Sequence, residues 1–412
     1  MRLLTIAAVL LSLAPSASAK TISVPKDAPT IQSAIDAAAP GDTVKVAPGT
    51  YFERLTITTP ALRLIGSKKV ILDAHPSRAG FGPAIDIDAS DIRIDGLTVR
   101  HARTNGAPLQ GDGIDAEGTG LTLRNLVIDD CDAYAVKVNG ADAQVEDCAV
   151  VNCRDGVSTF GARPRIEGNS FRQIQIDSIV AIGVQVRVEK NTFRAAGNPI
   201  YVDGEASPAW VKGNDVRGFF GAQAIFVRDA PAGVVSNNEI EAGGKNGNGI
   251  AIDGSAGLKV AGNDVTNVYE DGIYIDGGTL VTVTKNDIRG CGAGIVVGAT
   301  ADQTLVADNQ VRDCATDGIH VSGDSSEITD NLAKGNARDG INFAAGAASR
   351  ATGNSCQKNG GEGLSNAVAT TSVWQGNTLK KNRIDMAGGG AVTATGNTFQ
   401  TGGPAQAPEI ED

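Results

Sequence analysis

The chain has 412 residues, 52 of them glycine and only 4% aromatic, a composition of many turns and a narrow interior rather than a core of bulky rings. Its formal net charge of −11 excludes nonspecific attraction to nucleic acid or to an anionic membrane. The same charge would repel an acidic polysaccharide unless a local basic residue or a bound cation offset the field.

In chain order, residues 1–19 read as an export leader. Arg2 supplies the positive start, Leu3 to Leu13 the apolar run, and Ala17-Ser18-Ala19 a small-residue cleavage site. The run is too short to span a bilayer, and no later stretch of about 18 apolar residues offers a transmembrane segment. The mature chain is expected to be exported, to the periplasm, the medium or the cell surface, and to be a monomer. Residues 20–96 read as an N-terminal cap and first coils. A strand is expected over Thr21 to Val24. Thr30 then caps a short helix reaching Ala39, whose Ile31, Ala34, Ile35 and Ala38 share one face, and Pro40-Gly41-Asp42 ends it. Further strands are expected at Thr43 to Val46, Leu55 to Thr58, Leu62 to Ile65, Val70 to Leu72, Ala84 to Ile87 and Ile92 to Ile94. Residues 97–400 hold the repeats, and 401–412 form a polar tail expected to be disordered.

The repeats carry the argument for the fold. Asn-any-apolar recurs about every 20 to 25 residues, as at Asn191-Thr192-Phe193, Asn238-Glu239-Ile240, Asn263-Asp264-Val265 and Asn286-Asp287-Ile288. A second phrase follows it, clearest at Asn248-Gly249-Ile250-Ala251-Ile252-Asp253 and Asp271-Gly272-Ile273-Tyr274-Ile275-Asp276. Apolar and polar residues alternate inside each unit, the period of a strand. The fold class is therefore all-β, a parallel β-helix solenoid with one coil per repeat and a short N-terminal capping helix. Asn suits a left-handed turn, and its amide both donates and accepts, so stacked Asn side chains can bond one another up the array. The Asp that precedes Gly at 112, 155, 271, 317 and 339 is likewise read as a turn residue. His101 to Gly120 holds extra residues and should project as a loop.

Of the six cysteines, Cys131, Cys153, Cys291 and Cys314 share one column, where Asn336, Asn359 and Asn382 stand in later coils; Cys148 replaces a turn Asn and Cys356 takes an inward slot. Stacked free thiols compete with disulfides Cys131–Cys153 and Cys291–Cys314, one coil apart. No CxxC or Cys/His cluster suggests zinc.

The opening, Ala28-Pro29-Thr30-Ile31-Gln32-Ser33-Ala34-Ile35-Asp36 with Gly41-Asp42-Thr43-Val44 and Pro48-Gly49-Thr50-Tyr51, together with the coils, resembles right-handed parallel β-helix proteins of the pectate-lyase-like superfamily. That resemblance covers almost the whole mature chain. It implies secreted polysaccharide lyases, hydrolases, esterases, epimerases and noncatalytic members. The chain lacks the Arg-any-Pro-any-any-Arg of pectate lyases and the Gly-His-Gly and Asn-Thr-Asp of polygalacturonases, so no catalytic residue carries over. Periplasmic copper-maturation proteins share the repeat, but His75, His101, His320 and Met386 are poor material for a copper site.

Function is then sought on the strand after each Gly, where alternation turns every second residue outward. One outward column reads Asp115, Lys137, Ser158, Val180, Tyr201, Phe226, Ala251, Tyr274, Val296, His320, Asn342; its neighbour reads Glu117, Asn139, Phe160, Ile182, Asp203, Arg228, Asp253, Asp276, Gly298, Ser322, Ala344. Tyr201, Phe226 and Tyr274 would stack on sugar faces, with the protein gripping or acting on a polysaccharide laid along this face. A lyase or epimerase would use Arg228 or His320 as the base, with Asp253 and Asp276 holding Ca²⁺ against a uronate carboxylate. A hydrolase would use Asp203 and Asp253, two coils or about 9.6 Å apart. Against these stand a salt-bridged ladder around Arg228, with the rings covered by the Phe219-Phe220 turn, and a noncatalytic binding or structural protein.

Overall fold

The computed structural model describes residues 18–106, 111–241, 247–366, 371–388 and 391–400. Most of the expected leader and the expected tail fall outside these residues. Short strands with a single inward side chain dominate, as in Lys259–Ala261 and Asp264–Thr266, where Val260 and Val265 are buried between more exposed neighbours. Such a segment buries its apolar residue only by pairing above and below, so each coil stacks on the next. Every strand pairing shown is parallel, as at Ile250↔Ile273 and Ile273↔Ile295.

A coil has three faces. The first belongs to a 17-stranded sheet. The second and third join in a 29-stranded sheet, because the chain passes between them without a break in Ser170–Ile182 and Thr192–Asp203. Inside, Val157, Ile179, Ile200, Ile225, Ile250, Ile273, Ile295 and Ile319 form one continuous buried column. Each such side chain contributes roughly 1.5–3 kcal/mol when removed from water. Phe171 and Phe193 stack on neighbouring coils with ring centroids 5.0 Å apart.

The cap is a helix over Ile31–Asp36, shorter than the expected ten residues. Asp42 explains the early stop: its carboxylate accepts the N–H groups of Ala39 at 2.9 Å and Lys20 at 2.7 Å, tying the following loop into a turn. Thr30 and Ser33 form a capping box, and Glu53 from the next coil accepts the N–H groups of Ile31 and Gln32 at 3.0 Å each. The buried Ile31, Ala34 and Ile35 close the open end of the first coil. A strand at Gly49–Tyr51 and a one-turn helix at Pro76–Ala79 were not anticipated.

The Asn column is an unbroken amide ladder from Asn169 to Asn397. Each Nδ2 donates to the Oδ1 one coil on, at 2.9 to 3.1 Å, and that Oδ1 also takes the preceding Asn's backbone N–H. Cys148 joins through its N–H, which donates to Asn169 Oδ1 at 2.9 Å. One expectation needs correcting. The ladder Asn is not the left-handed residue; the residue before it is, as at Lys190 (φ 56°), Asn237 (φ 54°), Gly262 (φ 66°) and Asp308 (φ 58°). The turn is made one position earlier, which frees the Asn to point its amide inward. A second, shorter ladder links Asn336, Asn359 and Asn382, with Cys314 donating its N–H to Asn336.

All six cysteines are buried free thiols rather than the disulfide alternative. Cys131 with Cys153, and Cys291 with Cys314, follow strand pairs two residues earlier in register, and so face each other on adjacent coils. Burial pushes the thiols of Cys148 and Cys291 up to about 12, so neither offers a thiolate at neutral pH. Thiol titration under denaturant without reductant is expected to count six. A count of four or two would establish one or two bridges.

Candidate functional site

The third face presents the two outward columns in the register expected. Pairing runs Asp115↔Lys137, Lys137↔Ser158, Val180↔Tyr201, Tyr201↔Phe226, Ala251↔Tyr274, Tyr274↔Val296 and Val296↔His320 in the first. In the second it runs Asp203↔Arg228, Arg228↔Asp253 and Asp253↔Asp276. Seven of the eight singled-out residues divide into two groups, and Asp276 stands between them, on the rung after Asp253.

The first group is Tyr201, Phe226, Asp203, Arg228 and Asp253. The Tyr201 and Phe226 rings pack with centroids 5.5 Å apart and planes tilted by 54°. Both are half-buried rather than covered, because Phe219 sits in the core and Phe220 is itself 55% exposed. Arg228 lies 3.4 Å from Asp229 and 3.9 Å from Asp253. The Tyr201 hydroxyl, then Asp229 and Asp203, raise its guanidinium above the usual range, so it stays cationic. It also stands on the rung between Asp203 and Asp253, where an inverting hydrolase would need room for a water. Asp276, on the next rung, accepts from the Thr300 hydroxyl at 3.2 Å. Asp253, Asp276 and Thr300 carry five of the six to eight oxygens that calcium takes, the remainder in such sites coming from water or backbone. Among the described residues no three His, Cys, Asp or Glu side chains converge as a metal site.

The second group surrounds His320, four rungs or about 19 Å from Arg228, so the two candidate bases do not share a site. His320 Nδ1 lies 3.0 Å from Asp317 Oδ2, and Nε2 lies 3.3 Å from Ser322 Oγ. The side chain of Asp317 is only 4% exposed. Burial raises its carboxyl, but hydrogen bonds from His320, from Asn342 Nδ2 at 2.9 Å and from the Asp339 N–H at 3.2 Å outweigh that and leave it lowered. An ionised Asp317 accepts only, so Nδ1 of His320 carries the proton and Nε2 presents a lone pair.

The coil between His320 and Tyr274 carries only smaller outward side chains. Its outward residues are Val296 and Gly298, and the buried Ala293 stands at the corner position that Asp271 and Asp317 hold on the coils either side. A notch one rung wide results, with His320 and Asp317 on one wall and Tyr274 and Asp271 on the other. Burial, with Glu270 adding to it, raises Asp271 to about 6, against the attraction of His320. Burial, then Asp276 and Asp271, raises the Tyr274 hydroxyl. Asp271 and Asp317 were read as turn residues. That role is real for Asp112, Asp155, Asp317 and Asp339, each of which accepts a backbone N–H from the next coil. The signal for a further role was an Asp three residues before the single outward His.

A third charged group lies on the early coils, where Lys137 Nζ is 3.1 Å from Asp115. Asp112 beside it is fully buried, Oδ2 has no partner among the described residues, and burial raises the carboxyl to about 7. The folded state therefore holds a proton on Asp112 from pH 3.8 to about 7 that the unfolded chain has lost. Stability falls as pH rises through that window. Carboxyls held low, such as Asp317 and Asp215, act oppositely and only below pH 3.8. The unfolding free energy is expected to drop by on the order of 1 kcal/mol per pH unit between pH 4 and 7, and Asp112→Asn to flatten the slope, as read by urea titration at each pH.

No helix among the described residues is long and apolar enough to cross a membrane. Comparison with curated proteins finds no match. Among solved structures, the chain is similar to the periplasmic alginate epimerase AlgG, with 14% identity, a TM-score of 0.39, and coverage of 93% of this chain and 83% of that one. The A-module of the mannuronan C-5 epimerase AlgE6 of Azotobacter vinelandii gives 14% identity and a TM-score of 0.32, covering 90% and 94%. A mannuronic acid-specific polysaccharide family 6 lyase from human gut microbiota gives 13% and 0.37, covering 86% and 87%. The sequence family described as right handed beta helix region matches in four overlapping stretches, residues 83–218, 112–247, 179–329 and 271–405. With parallel coils running through all four, the chain belongs to the right-handed β-helix family.

Proposed function

We propose that this is an exported protein that binds a polysaccharide along its third face and performs proton-transfer chemistry, of the lyase or epimerase class, at the notch between Tyr274 and His320. The observation that carries the reading is the pairing across that notch of an oriented imidazole with a carboxyl raised to about 6. The walls are two rungs or about 9.6 Å apart, the width of a site open to one ring. His320 Nε2 takes the proton α to a uronate carboxylate, because Asp317 fixes its lone pair there. Asp271 and Tyr274 face it from the other wall as proton donors, the arrangement needed to return a proton to the opposite side of a sugar. Arg228, held cationic, is unsuited to be a base and instead pairs with a carboxylate on a sugar several residues along the bound chain, offsetting the protein's negative field. Tyr201, Phe226 and Tyr274 supply the ring faces.

A panel of uronate-containing polysaccharides tests this, with unsaturated-product absorbance for lyase action and deuterium incorporation from solvent for epimerisation. Turnover is expected to fall as pH rises through about 6, where Asp271 loses its proton, and Asp271→Asn to remove that limb. Tyr274→Ala should weaken oligosaccharide binding about tenfold, the size of one aromatic contact. Binding without turnover or deuterium uptake across the panel would leave the noncatalytic reading standing.

A further inference from the structure

His320 has a second neighbour that proton abstraction does not use. Ser322 lies two residues on along the same strand face, and its Oγ is 3.3 Å from His320 Nε2. The nitrogen on the other side of the ring is bound to Asp317, itself buried and fixed by Asn342 and the Asp339 N–H. Three side chains thus form a hydrogen-bonded line of hydroxyl, imidazole and carboxylate within six residues of sequence. With Nδ1 protonated, Ser322 can only donate to Nε2, which aligns its proton for transfer.

The hydroxyl is also accessible along the axis. The Ser322 N–H donates to Val297, and the Ala344 N–H to Val321, so the rungs below and above bring Gly298 and Ala344 alongside Ser322. Neither carries more than a methyl group. Ser322 is only partly buried at the edge of the notch.

We infer that Ser322, His320 and Asp317 act as nucleophile, base and orienting carboxylate in the hydrolysis of acyl esters, the class presented by an O-acylated sugar hydroxyl lying in the notch. Ser322 Oγ bonds to the ester carbonyl carbon while its proton passes to His320 Nε2. The tetrahedral adduct collapses, the carbon–oxygen bond to the sugar breaks, and the departing alkoxide takes the proton from His320. Water then attacks the acyl-Ser322, giving its proton to the same nitrogen, and the carboxylic acid leaves as Ser322 recovers its proton. Ester and water become alcohol and acid, with no other reactant required. This inference rests on the site proposed above, sharing its His320–Asp317 pair, but it does not require proton abstraction from carbon.

The test uses the full chain with three readouts. Acetate release from an O-acetylated polysaccharide and hydrolysis of p-nitrophenyl acetate measure ester cleavage, and mass spectrometry after treatment with a fluorophosphonate probe locates an activated serine. Wild type is expected to release acetate and to carry the adduct on Ser322. Ser322→Ala should lose cleavage by about 10²-fold or more and lose the adduct, while oligosaccharide binding through Tyr274 persists. Labelling of the wild type does not depend on any variant folding. Absence of both acetate release and the Ser322 adduct in folded protein would overturn the inference. Deuterium uptake or unsaturated product with no ester cleavage would overturn it while sparing the reading above. Ester cleavage without either would do the reverse.

Discussion

Asn263→Ala is expected to lower the unfolding free energy by about 3–6 kcal/mol, a large effect for one neutral side chain. The Asn263 amide donates to the Val235 carbonyl at 3.1 Å and to Asn286 Oδ1 at 2.9 Å. Its Oδ1 accepts from the Asn238 N–H at 3.0 Å and from Asn238 Nδ2 at 2.9 Å. Alanine leaves three buried groups short of a partner: the Val235 carbonyl and both Asn238 donors. Asn286 keeps one, since the Asn263 backbone N–H still reaches it at 2.9 Å. Each stranded group costs about 1–3 kcal/mol, with no water at that depth to replace the bond. The control is Asn237→Ala, one residue away. Asn237 is exposed and left-handed, so its loss should cost only about 1 kcal/mol. Urea denaturation followed by circular dichroism compares them, and hydrogen exchange shows whether the coils on either side open together. Equal destabilisation by the two changes would mean that the turn, not the ladder, holds the coils in register.

His320→Gln is expected to reduce turnover on any substrate of the notch by about 10²–10⁴-fold while leaving binding within a few-fold. Glutamine fills similar space and can still donate to Asp317, so the buried carboxylate keeps a partner, but it offers no basic nitrogen. The companion change Arg228→Gln should behave inversely, weakening binding of an anionic chain and leaving the chemical step close to wild type at saturation. The split follows from about 19 Å of sheet between the two groups. Were Arg228→Gln to abolish turnover at saturating substrate with His320→Gln neutral, the chemistry would belong to the aromatic group and not to the notch.

The parts of the molecule governed by periodicity could be read from sequence. Inward Ile and Val positions, the two outward columns and the Asn stack all follow from a period of two inside strands and of about 23 between coils. Tyr201, Phe226 and Tyr274 thus fall on one line by periodicity alone. What the pattern hid were contacts between unlike positions. Asp317 belongs to the corner column and His320 to the strand face, so a column-by-column reading assigns one to a turn and the other to a site. The coil of smaller side chains that separates Asp271 from His320 is legible only as an absence, the small Ala293 and Gly298, and gains meaning once its neighbours are in place. The early end of the cap helix is similar: Asp42 acts by reaching Lys20, a partner no local signal names.

From Asn169 onward, coil lengths vary while the rungs stay in register, since the ladder fixes one corner of each coil and the slack is taken up elsewhere. The length of the third face is consequently quantised. Evolution or an engineer can lengthen or shorten it only by whole turns, each bringing its own Asn and one pair of outward side chains. A deletion that begins just after one ladder Asn and ends with the next should rejoin the amides and shift every downstream group by a single step. The distance between the aromatic group and the His320 notch is thereby an adjustable integer, and the chain is a ruler whose marks can be added or removed without redrawing the scale.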